Sequence, residues 1–254
     1  MMKKILVAAV LMLAMSAAQS FGFSLGNYKG PVELKLAGVT QYSQGGETWG
    51  VFALSAVTNG FTNKWSAGSG DYVYGILYGI TDAQAAYANS TGGYTLEQLG
   101  GHFALYQSST ELDFSTLAAT SRTAQDKFTG VTDGALLLSG DFASGILPSP
   151  NNATIVQYLE SNQTISNGKG VAYGDVNGGS LLSSFDSNSQ DGHDLFFQFT
   201  IAAAGAPQNA NGWTQLINDP VRGNVVPEPG TMALLGFGML GLAIFGKRRL
   251  NREA

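Results

Sequence analysis

Between residues 23 and 225 the sequence predicts an all-β fold, two packed antiparallel sheets arranged as a β-sandwich or jelly roll. Apolar residues recur at every second position in many short runs, and clusters of Gly, Asn, Ser and Asp separate those runs. Helical spacing appears only locally, and no repeat of 20–50 residues stands out.

Taken in order, Val32, Leu34 and Leu36 alternate with Glu33 and Lys35, a strand with one wet face. After the turn Gln44-Gly45-Gly46, the nearly continuous apolar run from Trp49 to Val57 reads as a more buried strand. In the next run Tyr72, Tyr74, Ile76, Tyr78 and Ile80 share one face, and Val73, Gly75, Leu77 and Gly79 share the other. Glycines behind an aromatic row point to a close backbone approach or a strongly bent strand. Shorter strands are predicted at Phe103 to Tyr106, Glu111 to Phe114, Ala135 to Leu138, Thr154 to Leu159 and Val171 to Tyr173. From Asp194 to Ile201, Leu195, Phe197, Phe199 and Ile201 alternate with Phe196, Gln198 and Thr200, as in a sheet packed on its core. Two short helices are predicted, Thr81 to Asn89 with Thr81 or Asp82 as N-cap, and Ser121 to Phe128.

The two ends differ from this body. Met1-Met2-Lys3-Lys4, the apolar run Ile5 to Met15 and the small residues Ser16-Ala17-Ala18 make a secretory signal peptide, helical in its apolar part and cleaved after Ala18 or, as a second choice, near Gly22. At the other end Val226-Pro227-Glu228-Pro229 precedes an uncharged apolar run from Thr231 to Phe245 and the basic cluster Lys247-Arg248-Arg249. Each proline fixes its own φ and pushes the residue before it out of the α region, so Val226 to Pro229 should be extended. As a helix, roughly 15 residues reach about 22 Å against a hydrocarbon core of ~30 Å, a short transmembrane anchor with its basic end on one side. The organisation is therefore 1–22 signal peptide, 23–225 β-rich domain, 226–249 tail signal and 250–254 cytoplasmic end.

Composition agrees with export. The chain has no cysteine, which excludes disulfides, thiolate zinc sites and thiol nucleophiles. The body holds 16 carboxylates against 7 Lys and Arg, a formal charge of −9, which argues against nucleic acid as a partner.

The order of Val226-Pro227-Glu228-Pro229, apolar run and Lys247-Arg248-Arg249 resembles the PEP-CTERM sorting signal of exported proteins in Gram-negative bacteria. The likeness covers about 25 residues. It implies an exosortase as partner, a membrane-embedded thiol protease that reads the tail, and delivery of the passenger to the cell surface or the exopolysaccharide matrix. Glu47-Thr48-Trp49-Gly50-Val51 and the stretch Gly212-Trp213 to Asp219-Pro220-Val221 also resemble segments of such passengers, and imply one domain running up to the tail.

No motif assigns a catalytic residue, and the body is read as a non-enzyme with a structural or adhesive role. Gly22-Phe23-Ser24-Leu25-Gly26 has nucleophile-elbow lettering but sits at the signal-cleavage boundary. Gly236, Gly238 and Gly241 have dinucleotide-fold spacing but lie in the membrane run. The three sequons at Asn89, Asn152 and Asn162 read as polar turns. His102 and His193 are the only histidines; a triad built on His193 would draw on Asp191 or Asp194. Glu97, Glu111, Asp113 and Glu160 offer carboxylates without a pattern that selects a pair. The densest oxygen-ligand stretch, Asp186-Ser187-Asn188-Ser189-Gln190-Asp191-Gly192-His193-Asp194, offers Asp186, Asn188, Asp191 and Asp194 to calcium, but it misses the EF-hand spacing, and an Asx turn is the simpler reading. Polysaccharide binding is the main alternative role, with Trp49, Trp65, Trp213 and the tyrosine row as stacking faces if they are exposed.

Overall fold

A computed structural model describes residues 23, 25, 28–148, 151–161 and 167–226. The expected antiparallel all-β architecture is what these residues adopt. Thirteen strands run in chain order: β1 (Gly30–Gln41), β2 (Glu47–Asn59), β3 (Thr62–Ser66), β4 (Tyr72–Asp82), β5 (Tyr87–Ala88), β6 (Tyr94–Ser108), β7 (Arg122–Ala124), β8 (Lys127–Phe128), β9 (Ala135–Ala143), β10 (Ile155–Leu159), β11 (Gly168–Gly178), β12 (Leu195–Ala203) and β13 (Gln215–Val225).

The layers are sandwich-like, but their hydrogen-bonded ladder runs all the way round. Neighbours follow the order β1, β13, β12, β11, β10, β6, β4, β2, and β2 then pairs back onto β1. Between β6 and β11 one rank is shared. β10 pairs with the first half of each strand, Ile155 facing Gln98 and Ala172, and β9 pairs with the second half, Asp141 facing His102 and Asp175. The result is a closed wall of eight ranks without a long free edge, which removes the hazard of edge-to-edge pairing.

Period 2 sorts the side chains. Val32 and Leu34 of β1, Phe52 and Leu54 of β2, Val73 of β4, Phe103 and Leu105 of β6, and Leu195 and Phe197 of β12 all turn inward into one core. Burying each stabilises the fold by about 1.5–3 kcal/mol. A second core lies outside the wall. Trp49, Val51, Tyr74, Ile76, Ala104 and Tyr106 point outward and are covered by Phe128 and Val131 of the excursion between β6 and β9, and by Trp213. This double cover is why Trp49 to Val57 lacks a polar face.

Two glycines make the inner packing possible. A Cβ on Gly75 would lie 2.1 Å from Phe52 Cζ, and one on Gly38 would lie 2.6 Å from Phe52 Cβ. Gly38, Phe52 and Gly75 are in register on three adjacent strands, so the close approach expected at Gly75 is met by the Phe52 ring.

Several expectations need correcting. Ile80 does not share the tyrosine face. The ladder slips where Thr48 pairs with Ile80 and Gly50 with Leu77, Gly79 takes a φ of +71°, and this bulge turns Ile80 into the inner core. Neither short helix forms. Thr81 and Asp82 continue β4, paired with Leu99 and Gln98, and the Ser121 to Phe128 stretch is the β7–β8 hairpin. Glu111 to Phe114 is a loop, held by Ser115 N donating to Asp113 Oδ1 at 2.8 Å and Leu112 N donating to the Tyr74 hydroxyl at 2.7 Å. The strand β13 was hidden by Pro220 in its middle.

Candidate functional site

The wall closes where the tail begins. Gly30 pairs with Val225, so the first and last strands meet at one end of the barrel. Val225 is buried, Val226 N donates to Ser184 O at 2.8 Å, and Lys29 Nζ donates to Val226 O at 3.4 Å. Ser184 sits in a single helical turn, Leu182–Phe185, anchored by the fully buried Phe185. At the other terminus Phe23 is buried against Trp65, with ring centroids 5.0 Å apart. Packed structure therefore reaches Val226, the residue before Pro227. Pro227, Glu228, Pro229, the apolar run, Lys247, Arg248, Arg249 and the end at 250–254 lie outside the described residues, as do Ala18 and the rest of the segment 1–22 expected to be a signal peptide. Among the described residues no helix is long and apolar enough to cross a membrane.

The stretch 186–194 is organised by one carboxylate. Asp194 is buried; its Oδ1 accepts from Ser187 N at 2.7 Å and Asn188 N at 2.8 Å, and its Oδ2 accepts from Val176 N at 2.9 Å. These amides occupy both oxygens. Asp186, Asn188 and Asp191 are exposed, and Asp191 Oδ2 accepts from the Tyr173 hydroxyl at 3.3 Å. Among the described residues no group of three or more His, Asp or Glu side chains is placed to hold a metal ion.

Both histidines pair with carboxylates, though not with the neighbours in sequence. His193 Nδ1 lies 2.9 Å from Asp175 Oδ1, rather than on Asp191 or Asp194, and His102 Nδ1 contacts Asp141. His102 faces Asp141 and Asp141 faces Asp175 across the ladders, and His193 in the turn before β12 contacts Asp175, so the four residues form one row over β6, β9, β11 and that turn. Two carboxylates directly opposite would repel, and each here is hydrogen-bonded to a histidine Nδ1 on its flank. Asn177 Nδ2 also donates to Asp141 Oδ2 at 2.8 Å. The row lies on the outer surface, with the His102 and Asp141 side chains about half exposed, not in a cleft. Nothing local in the sequence marks it, since it exists only through register.

The other candidate carboxylates are separately engaged. Glu97 is buried and accepts from the Tyr87 hydroxyl and Asn151 Nδ2, each at 2.7 Å. Glu111 accepts from the Tyr72 hydroxyl, Asp113 holds its own turn and Glu160 accepts from Asn167 Nδ2. All three tryptophans are buried: Trp65 donates to Asp71 Oδ2 and Trp213 to Leu117 O, both at 2.7 Å, and the Arg122 guanidinium covers Trp49 at 4.4 Å. They offer no stacking face. Among the described residues the exposed large rings are Phe61 at the β2–β3 tip, Tyr87 and Tyr158.

Compared with protein families, residues 225–249 match the model described as PEP-CTERM protein-sorting motif. The chain carries a PEP-CTERM sorting motif. Such a motif marks an exported protein that is anchored transiently in a membrane and sorted by an exosortase. The match to the PEP-CTERM motif begins at Val225, which is still part of the barrel wall, so address and domain share that residue. No curated protein and no solved structure matches the chain.

Proposed function

We propose that the barrel is a non-enzymatic structural or adhesive component of the cell surface or exopolysaccharide matrix, sorted there by an exosortase that reads the tail through Pro227-Glu228-Pro229. The observation that carries this reading is the PEP-CTERM motif at 225–249 joined without a spacer to a closed domain. The N-terminal Lys3-Lys4 and apolar run, read as a signal peptide, support it.

The test places one epitope between Gly60 and Phe61, at an exposed hairpin tip, and another after Ala254, in a host that encodes an exosortase. The surface protein should keep the first epitope and lose the second. Changing Pro227, Glu228 and Pro229 to alanine should preserve both on a membrane-bound precursor. Retention of both epitopes on the wild-type surface protein, or loss that ignores the alanine variant, would refute the sorting reading.

Polysaccharide binding stays as a second reading because Tyr87 and Tyr158, 40% and 41% exposed, both face Thr95 from the strands on either side of it. Two rings presented this way suit stacking on sugar faces. If they bind, the Tyr87→Ala, Tyr158→Ala double variant migrates freely in affinity gels cast with the host exopolysaccharide, whereas the wild type is retarded. Equal migration of the two removes this reading.

A further inference from the structure

The chain leaves the barrel at an end that also carries its most exposed ring. Gly30 at the start of β1 faces Val225 at the end of β13. The β2–β3 hairpin reaches the same end, because Thr58 faces Glu33 and the tip at Gly60 and Phe61 lies beyond it, towards Gly30. Neighbouring strands are about 4.8 Å apart, so the tip stands two strands, about 10 Å, from Val225.

Phe61 belongs to neither core. Its ring is fully exposed, more so than any other large apolar side chain among the described residues. One exposed apolar residue needs no explanation by itself. This one, however, is held out by a fixed tip. Asn59 Nδ2 donates to the Tyr28 hydroxyl at 2.6 Å and to Pro31 O at 2.7 Å, which ties the hairpin to the segment before β1. Two lysines stand between the tip and the tail. Lys64 Nζ lies 4.5 Å from the centre of the Tyr28 ring, and the exposed Lys29 donates to Val226 O at 3.4 Å. The acids that β1, β3 and the β3–β4 turn contribute here are engaged, Glu33 by Lys35 and Arg222, and Asp71 by Trp65 and Gln107.

The tail decides what this corner meets. From Val226 to Thr231, where the apolar run begins, there are five residue steps, which extend to about 18 Å at most. A headgroup layer takes up about 5–8 Å of that, so the end of the barrel stands at most about 13 Å clear of the lipid. The run is expected to span about 22 Å against a hydrocarbon core of ~30 Å, and that mismatch draws the barrel towards the membrane.

We propose that, while the tail anchors the chain, the barrel docks on the bilayer by this corner, with the Phe61 ring in the boundary between headgroups and acyl chains and Lys29 and Lys64 on lipid phosphates. The inference rests on anchoring through the tail and not on the role of the barrel after processing. One ring and two lysines bind lipid too weakly to hold a free protein, but the tether makes the contact intramolecular. Docking therefore lasts as long as the tail does, and processing releases the domain.

The chain has no cysteine, so a single label reports a single position. The full-length chain is reconstituted in vesicles of phosphatidylethanolamine and phosphatidylglycerol, with an environment-sensitive fluorophore on one of three variants. These are Thr62→Cys beside the ring, Ser90→Cys in the exposed turn at the opposite end of the barrel, and Leu240→Cys in the tail. Nitroxide-bearing lipids should quench the labels at 62 and 240 and leave the label at 90 bright. Adding Phe61→Ser should abolish quenching at 62 and leave that at 240 unchanged. A bright label at 62 with a quenched label at 240 overturns the docking and leaves the anchoring intact; if the label at 240 is bright as well, the anchoring fails and the docking with it. Equal quenching at 90, quenching at 62 that survives Phe61→Ser, or quenching at 62 only when an exosortase shares the bilayer also overturns the proposal.

Discussion

Gly75→Ala and Gly140→Ala look alike on paper, and the fold assigns them different costs. Both add one methyl to a strand interior, and neither glycine has a positive φ, so the penalty is steric. At Gly75 the new Cβ would meet three atoms of the Phe52 ring at 2.1, 2.4 and 2.7 Å, where ordinary contact begins near 3.4 Å. The ring must retreat by about 1.3 Å, and it borders a cavity of about 60 Å3 inside the barrel, so there is space to receive it. At Gly140 the Cβ would meet the Asp175 carbonyl oxygen at 2.2 Å and the Phe103 ring at 2.4 Å. That oxygen belongs to the wall strand β11, and backbone there cannot move without disturbing its ladders. Overpacking costs about 1–3 kcal/mol, so Gly75→Ala should lie near 1–2 and Gly140→Ala at about 3 or above. The unfolded-state gain of a Gly→Ala change, about 0.4–1 kcal/mol, is common to both and drops out of the comparison. At roughly 2–4 °C per kcal/mol for a domain of this size, Tm should fall by about 2–8 °C for Gly75→Ala and by about 6–12 °C for Gly140→Ala. Circular dichroism melts of the full-length variants measure both. Equal losses, or a larger loss at Gly75, would show that the ring has nowhere to go and that the lumen is closed-packed.

Three other predictions follow from the outer contacts. Arg122 donates to both Glu47 oxygens, at 2.9 and 2.8 Å, and covers Trp49, so Arg122→Ala should cost about 2 kcal/mol in urea unfolding and raise hydrogen exchange first in the 109–134 excursion. Burial pushes the Glu47 carboxyl up, but the Arg122 guanidinium, the Gly79 amide and Gln125 outweigh it and hold the group below its ordinary 4.5. Its folded value is thus lower than its unfolded one, so the stability it contributes is full above about pH 5 and is lost as pH falls through the lowered value. Melting at a series of pH values should show that loss, and Glu47→Gln should flatten it. Asp194→Ala leaves the Ser187, Asn188 and Val176 amides without their acceptor and should cost about 3 kcal/mol by thermal melting, whereas Asp186→Ala should stay within about 0.5 kcal/mol. Millimolar calcium should leave the Tm of all three proteins unchanged; a rise in the wild type alone would restore the loop as a cation site.

What the sequence disclosed and what it withheld divide along a physical line. The alternation in β1 and β12 was legible because each strand has one wet face, and the sorting stretch was legible because its prolines, apolar run and basic end act through local chemistry. Trp49 to Val57 could be seen to be buried but not by what, since its outer cover comes from residues some 80 positions further on. Ile80 was misplaced because a period-2 pattern does not show a bulge, although Gly79 beside it is the residue that permits one. β13 was missed because Pro220 argues against a strand, and the same proline, lacking an N–H, removes a hydrogen bond from the β12–β13 ladder. The row of His102, Asp141, Asp175 and His193, and the hydrogen bonds that run from Asp82 through Gln98 to Gln157, depend on pairings between strands far apart in the chain. Asp194 shows the reverse case. Its neighbours made it look like one oxygen ligand among several, but burial and three amide donors make it the acceptor that folds the loop, which sequence spacing alone does not display.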